Sequence, residues 1–431
     1  MSGAGRSVKN TAKNVSLLVL VALLGLLCAA NWLTGLNIAQ MPGDSPLRQA
    51  HDRLFGGAVG YELRSSGVAA AEPAQLALSA DGQLYGVQYN LTEIDAGLET
   101  VRGLWAEALS GGVLAEAAED ELNAALRAGD CAVLRYHGAI PLGVIANWMG
   151  GAWQSELAAE TLVYAAGAEQ LFVRTETGAV YAAPVKVSQG TLEAAQKSFR
   201  GLTCKFAGGA YAVFPETLLF DSETLSLPLL TAEAPALLDP QSGTGLETLL
   251  GAFKYTPYAR PYSESGGQVR VYVDDVSTLR IGASGLIQYA AAGSDSTVRA
   301  YDEGEASGSA ALDAQLDCAR LILDAALRAA ETDTHASLYA VQQDGDRTTL
   351  VFLQMYGGVP ILGDSDFATF VFRDGALSSA TIRLQRFRAG EIKRTVLPAR
   401  QAAAGADGTK RDLMVAYRAE ENRYVPGRFY L

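Results

Sequence analysis

From Val15 to Ile38 the chain carries 24 consecutive residues without a charge, and almost all of them are apolar. At a helical rise of 1.5 Å per residue such a run spans roughly 36 Å, enough to cross a hydrocarbon core of about 30 Å with some tilt. The preceding residues 1–14 hold Arg6, Lys9 and Lys13 and no acid, and the next basic residue after the run is Arg48. The positive flank therefore precedes the run. This predicts a cytoplasmic tail (1–14), one transmembrane helix (15–38), a linker (39–60) that opens on MPGDSP, and external domains: a single-pass protein of the cell membrane. A cleaved signal peptide would share the basic start, with Cys28-Ala29-Ala30 as a weak cleavage site. The run exceeds the 7–15 residues of a signal h-region, which favours an uncleaved anchor. Leu27 before Cys28 speaks against lipid attachment at that cysteine. Ala22, Gly25 and Ala29 share one helical face and would let a second membrane helix approach closely, while Asn31 near the opposite face would seek a hydrogen-bond partner. These four residues are the candidate helix–helix contact. The competing reading is ordinary membrane-helix composition, with Asn31 wetted at the outer interface.

The formal net charge is −13, and the three basic residues of the tail make the remainder more acidic still. A surface of that sign repels nucleic acid, so no nucleic-acid partner is expected. With 49% apolar residues the external part can bury a large core, and its length suits two or three domains. Outside the apolar run there are three cysteines, Cys131, Cys204 and Cys318. An odd number excludes a complete disulfide framework but leaves one bond open; three buried small hydrophobes is the alternative.

A strand–turn–strand theme recurs, each turn carrying glycine: Asp81-Gly82, Thr177-Gly178, Ser284-Gly285, Asp344-Gly345 and Asp374-Gly375. Glycine supplies the positive φ of tight hairpins. Alternation such as Tyr85, Val87 and Tyr89 against Leu84 and Gln88 predicts antiparallel sheets with one covered face. Between the hairpins, Ile94, Leu98, Val101, Trp105 and Ala108 form a helical stripe, with Thr92 and Asp95 as its capping pair. A second helix is expected over Val113–Ala128. A third is expected over Ala311–Ala330, with Leu312, Leu316, Ala319, Leu323 and Ala326 inward and Asp317, Arg320, Asp324 and Arg328 on a solvated face. Loops at 228–245 and 293–308 divide the exterior into units at 61–235, 236–305 and 308–431. The fold class is α+β.

No constellation for catalysis emerges. His51, His137 and His335 are not at metal-ligand spacing, no HExxH or GxSxG occurs, and Gly243-Thr244-Gly245 lacks the lysine of a phosphate loop. Asp274 and Asp275 are adjacent, so in a strand they would face opposite ways and make no acid–base pair. Asp302, Glu303 and Glu305 do not match a calcium loop. No cofactor or metal is expected, and a surface hydrolase would need a nucleophile–base or metal arrangement that is missing. Asn90-Leu91-Thr92 has the form of a glycosylation sequon and carries no weight.

Four stretches together resemble the YycH/YycI family. They are Arg270–Ala291 (RVYVDDVSTLRIGASGLIQYAA), Val351–Leu362 (VFLQMYGGVPIL) with the following FATFVFRDGALSSATI, the terminal Leu413–Leu431 ending in YVPGRFYL, and LRYHGAIPLGVI at 134–145, which fits the longer, YycH-type member. At the terminus Arg428-Phe429 stand where that family usually has tryptophan. The resemblance implies a bacterial, membrane-anchored, non-enzymatic regulator of a cell-wall-responsive two-component system. Its partners would be a sensor histidine kinase met in the membrane and a second YycH/YycI family protein, and its C-terminal unit would be YycI- or PepSY-like. The alternative is an external PepSY-like module that binds a ligand or inhibits a peptidase, merely tethered by the helix.

Overall fold

A computed structural model describes residues 69–430, apart from 223–224, 239–242, 257–258, 293–295, 303 and 422. The predicted tail, transmembrane helix and linker lie outside the described residues. Among those described, no helix is long and apolar enough to cross a membrane.

The first nine strands build one sheet: β1 (Pro73–Ala80), β2 (Gln83–Gln88), β3 (Ala115–Ala117), β4 (Cys131–Pro141), β5 (Ala158–Ala165), β6 (Gln170–Arg174), β7 (Val180–Pro184), β8 (Leu202–Phe206) and β9 (Leu218–Phe220). Their order is β3-β7-β6-β5-β4-β1-β2-β8-β9, all antiparallel. Four helices accompany it: α1 (Leu91–Ala108), α2 (Glu119–Ala128), α3 (Leu142–Met149) and α4 (Gln189–Ser198).

The remaining thirteen strands form a second sheet: β10 (Ser226–Glu233), β11 (Tyr262–Glu264), β12 (Val269–Val273), β13 (Ser277–Gly282), β14 (Leu286–Ala291), β15 (His335–Asp344), β16 (Arg347–Tyr356), β17 (Val359–Leu362), β18 (Ala368–Arg373), β19 (Ala376–Arg383), β20 (Arg386–Thr395), β21 (Leu413–Glu420) and β22 (Arg423–Tyr430). The order is β11-β12-β13-β14-β19-β18-β16-β17-β21-β22-β10-β20, with β15 against β16. Of these ladders only β17–β21 is parallel. Helices α5 (Gly243–Ala252), α6 (Gly308–Ala329) and α7 (Ala399–Gly405) belong to this half of the chain. The second sheet thus takes strands from all three segments that the loops delimit. The described residues of 69–253 and 260–430 form one compact unit.

The hairpins fall where glycine puts them. At Asp81-Gly82, φ is +53° and +74°, which places both central residues in the left-handed region that a type I′ turn requires; Ala80 pairs with Gln83 across it. The expectation of one covered face fails in the first sheet. Every residue of β1 and of β4 is buried. On one face Ala77, Val133, Val163 and Phe172 pack with Leu122, Ala125 and Leu126 of α2. Leu76 and Val87 lie beside Gly97 of α1, whose absent side chain makes room for them. A strand enclosed on both faces loses the alternation by which a half-buried strand is read.

Three helix details also differ from expectation. The α1 stripe is buried as predicted, but its cap is Asn90, whose Oδ1 accepts from the Glu93 amide at 3.4 Å. The helix begins at Leu91, so Thr92 lies inside it. The second helix starts at Glu119, because Ala115–Ala117 pairs with β7 as an edge strand instead. The α6 stripe is buried throughout, yet its charged side is not freely solvated: Asp317 and Arg320 pair at 3.4 Å with only 18% and 13% of their side chains exposed, and Asp313 accepts from Asn147 of α3 at 2.7 Å.

Candidate functional site

Where the halves of the chain meet, a polar seam is buried. Its centre is Arg135, a charge embedded in the otherwise apolar centre of β4. The register places Gln75 of β1 and Thr161 of β5 opposite Arg135, and Gln88 and Arg174 one strand further out on either side, so all five side chains share a face. Arg135 pairs with Asp412, just ahead of β21 in the second sheet. It also donates to the Leu413 carbonyl at 3.3 Å and to Gln75 Oε1 at 3.3 Å. Gln75 in turn donates to Gln88 at 3.0 Å. Glu160 lies between the two guanidinium groups, 3.7 Å from Arg135 and 3.2 Å from Arg174. Arg174 also pairs with Glu216, donates to Thr161 Oγ1 at 2.9 Å and covers the Phe214 ring at 4.1 Å. None of the five charged side chains is more than 10% exposed.

Two arginines against three carboxylates leave one negative charge too many in a buried site. A proton on Glu160 removes it. Burial, helped by a hydrogen bond with Asp412, pushes the Glu160 carboxyl up to about 8. Burial works to raise Asp412 too, but Arg135, the hydrogen bond with Glu160, Arg174 and the Leu413 amide outweigh it and hold Asp412 below the usual carboxylate range. One acid, two carboxylates and two cations then balance. A carboxyl–carboxylate pair of this kind can serve as an acid–base dyad only where substrate and water can reach it. Here the acids point into a paired, enclosed network, whose geometry suits a clasp between sheets.

Beside it lies His137, two residues along β4. Both ring nitrogens are buried without a hydrogen-bond partner among the described residues, and Tyr89 stands 6.1 Å away, ring to ring. Burial above all, with repulsion from Arg135, lowers His137 to about 3; it is a neutral imidazole. The next residue, Gly138, is where β4 crosses β15: a Cβ there would stand 2.1 Å from the Tyr339 carbonyl oxygen. Residues 70 and 72, near the start of the described residues, meet β15 close to this crossing. Leu338 of β15 donates its amide to the Ala70 carbonyl at 2.8 Å, Glu72 donates its amide to Ser337 Oγ at 3.0 Å, and the Glu72 carboxylate meets His335 Nε2 at 2.6 Å. Two apolar clusters flank the seam and draw on both sheets. One joins Ala74 and Tyr89 to Val359, Ile361, Val415 and Tyr417; the other joins Ala207, Val213 and Leu219 to Ala399, Ala402 and Leu413.

The predicted contact residues Ala22, Gly25, Ala29 and Asn31 lie outside the described residues, as does His51. Asp274 and Asp275 are in the turn after β12, not in a strand. Asp274 accepts from the Val276 and Ser277 amides at 2.9 and 2.5 Å and from Ser277 Oγ at 2.9 Å, so it shapes the turn. No group of three or more metal-ligating side chains converges among the described residues. Cys131, Cys204 and Cys318 form no disulfide among the described residues. The ladders β4-β1-β2-β8 set Cys131 and Cys204 in one row three strands apart, roughly 14 Å and far beyond disulfide reach. Burial pushes both thiols up to about 12.

The seam itself was not singled out from sequence. Its signal was present: an arginine and a histidine inside the run AVLRYHGAIP are anomalous in a strand with apolar neighbours throughout.

No protein-family model matches the chain, and neither does any curated protein sequence. Among solved structures it is similar to the crystal structure of YycH from Bacillus subtilis, with a TM-score of 0.47 and 12% identity, over 84% of this chain and 96% of that one.

Proposed function

We propose that this chain is a single-pass membrane regulator, with no catalytic activity of its own, that tunes a two-component sensor histidine kinase. In this reading Ala22, Gly25, Ala29 and Asn31 of the apolar run contact the kinase's membrane helices, the N-terminus is cytoplasmic, and the external sheets are a sensing or assembly platform shared with a second YycH/YycI family protein. The sequence resemblance and the uncharged Val15–Ile38 run support it. The observation that supports it furthest is that Ala70 and Glu72, near the start of the described residues, hydrogen-bond to β15 beside the buried seam. In this reading a displacement of the external sheets would act on the anchor through the chain ahead of Ala70. A helix that packs differently on two kinase states shifts their equilibrium by its difference in binding energy, and a few kcal/mol is enough for a large change in output.

The test replaces residues 15–38 with an unrelated transmembrane helix and follows phosphorylation of the response regulator in cells. Export should persist and regulation should disappear; regulation that survives the exchange overturns the helix-contact reading. An open groove of about 600 Å³ between α1 and α4, lined by Thr100, Gly103, Leu104, Thr191, Ala194 and Ser198, favours the alternative of a tethered ligand-binding module. A chain lacking the anchor that still restores regulation would select that alternative.

A further inference from the structure

The two sheet paths end in four strands, and three of these, β3, β9 and β11, are only three residues long. Short terminal strands are a common way to close a sheet edge against other chains. The off-path strand β15 has its outer side met by Ala70. The fourth end is built differently. β20 runs for ten residues, pairs on one side with β10, and among the described residues has no strand on the other. From Arg388 to Thr395 every residue is exposed, including Ile392 at 63%. The exposed run is held at its two ends by Phe387 and Val396, both buried in one cluster, and it bulges against β10 between Ala389 and Lys393.

Its charge is as unusual as its length. From Arg386 to the C-terminus the sequence has ten basic and five acidic residues, a formal +5 in a chain of −13. Four of the cations, Arg386, Arg388, Lys393 and Arg394, lie on β20, against Glu391 alone. Arg388 meets Glu233 at 3.1 Å and Arg394 meets Glu420 at 3.7 Å, all four side chains being well exposed. Among the described residues Arg386 and Lys393 carry no ion pair. Two copies of this strand side by side would set like charges opposite each other, which is unfavourable. An extended segment with acidic side chains would satisfy the main-chain edge and the cations together.

We infer that β20 is a docking edge that accepts an acidic, extended segment of a partner protein as an added strand. The surface is separate from the anchor contact proposed above and stands or falls independently of it.

The test uses the full chain in detergent micelles and two fluorescent decapeptides, one alternating Glu with Val and one of the same sequence N-methylated at every residue. The Glu–Val peptide should raise the anisotropy and slow amide exchange over Arg386–Thr395 at least tenfold. The N-methylated peptide, equal in charge but without amide donors on either edge, should do neither. The double variant R388E/K393E changes only exposed side chains and should weaken the Glu–Val peptide at least tenfold. Absence of binding overturns the inference. So does equal binding of both peptides, protection outside β20, unchanged affinity in the double variant, or dimerisation of the chain through β20 in sedimentation. Adsorption to anionic vesicles without peptide binding would assign the patch to lipid headgroups and overturn it as well.

Discussion

A carboxyl that keeps its proton near neutrality makes folding sensitive to pH in a definite direction. Glu160 is raised to about 8 when folded and takes an ordinary carboxylate value near 4.3 when unfolded. Between those values the native state holds a proton that the unfolded chain has lost, so stability falls as pH rises and levels off above about 8. His137 acts oppositely: its folded value of about 3 lies below the unfolded value near 6.5, so its contribution is lost as pH falls through that interval. The two slopes oppose each other between about pH 4.3 and 6.5, and above that only Glu160 acts. Urea unfolding from pH 6.5 to 8.5 should show declining stability in the natural protein and a flatter profile in Glu160→Gln; equal slopes would refute the proton assignment. Removing Asp412 is harsher, since Arg135 would stay buried without its carboxylate. Asp412→Ala should cost about 3–5 kcal/mol, whereas replacing the pair together, R135M/D412L, should cost less. A double variant as unstable as the single one would mean that the ion pair is not the unit that matters.

At the scale of elements, local chemistry was legible wherever it decides the outcome locally. Five glycine turns gave five hairpins, because positive φ is a demand of the turn itself and needs no distant partner. The α1 and α6 stripes were equally plain. What the sequence concealed depends on neighbours. β4 carries no alternation because α2 and the seam cover one face and helices the other. Ala115–Ala117 reads as helix until β7 is beside it. Asn90, passed over as a sequon, is the cap that α1 uses. The seam draws on three of the four stretches that carry the family resemblance: Arg135 and His137 lie in 134–145, Val359 and Ile361 in 351–362, and Leu413, Val415 and Tyr417 in the terminal stretch. Those stretches were readable as patterns, but that they converge was not, since Arg135 and Asp412 are 277 positions apart. The crossing of β4 and β15 gives an element-scale prediction. Gly138→Ala drives a Cβ into the Tyr339 backbone, where no side-chain rotation relieves it, and should cost about 1–3 kcal/mol or more. Gly167→Ala, with nothing within 4 Å, should change stability by no more than about 0.5 kcal/mol. Comparable urea midpoints for the two variants would show that the strands can separate at Gly138 without loss.

For the whole molecule, the question is whether two large sheets behave as one cooperative body. Loops had suggested three units, but the physical connections run across them. The Arg135–Asp412 pair, the Ala74–Tyr89 cluster and the α7 cluster each draw on both sheets, and the entry segment hydrogen-bonds to β15 before it becomes β1. Breaking the sheets apart would strand buried charges and expose two apolar clusters at once, so partial unfolding is penalised about as heavily as the first step of global unfolding. The sequence supplies a convenient probe, because all four tryptophans, Trp32, Trp105, Trp148 and Trp153, lie in the first half of the chain and the last three in the first-sheet segment, while amide exchange reports on β16 and β18 in the second. Tryptophan fluorescence and exchange should give one coincident urea transition in the natural protein. In Asp412→Ala, with the apolar clusters intact, the midpoint should drop while coincidence is kept. If fluorescence unfolded at lower urea than β16 and β18 in the natural protein, the sheets would be independent domains, and a pull on Ala70 would reach the second sheet without loading the first. Coincidence instead means that a force or ligand acting on either sheet is felt by the seam and, through Glu72 and Ala70, by the described residues ahead of β1.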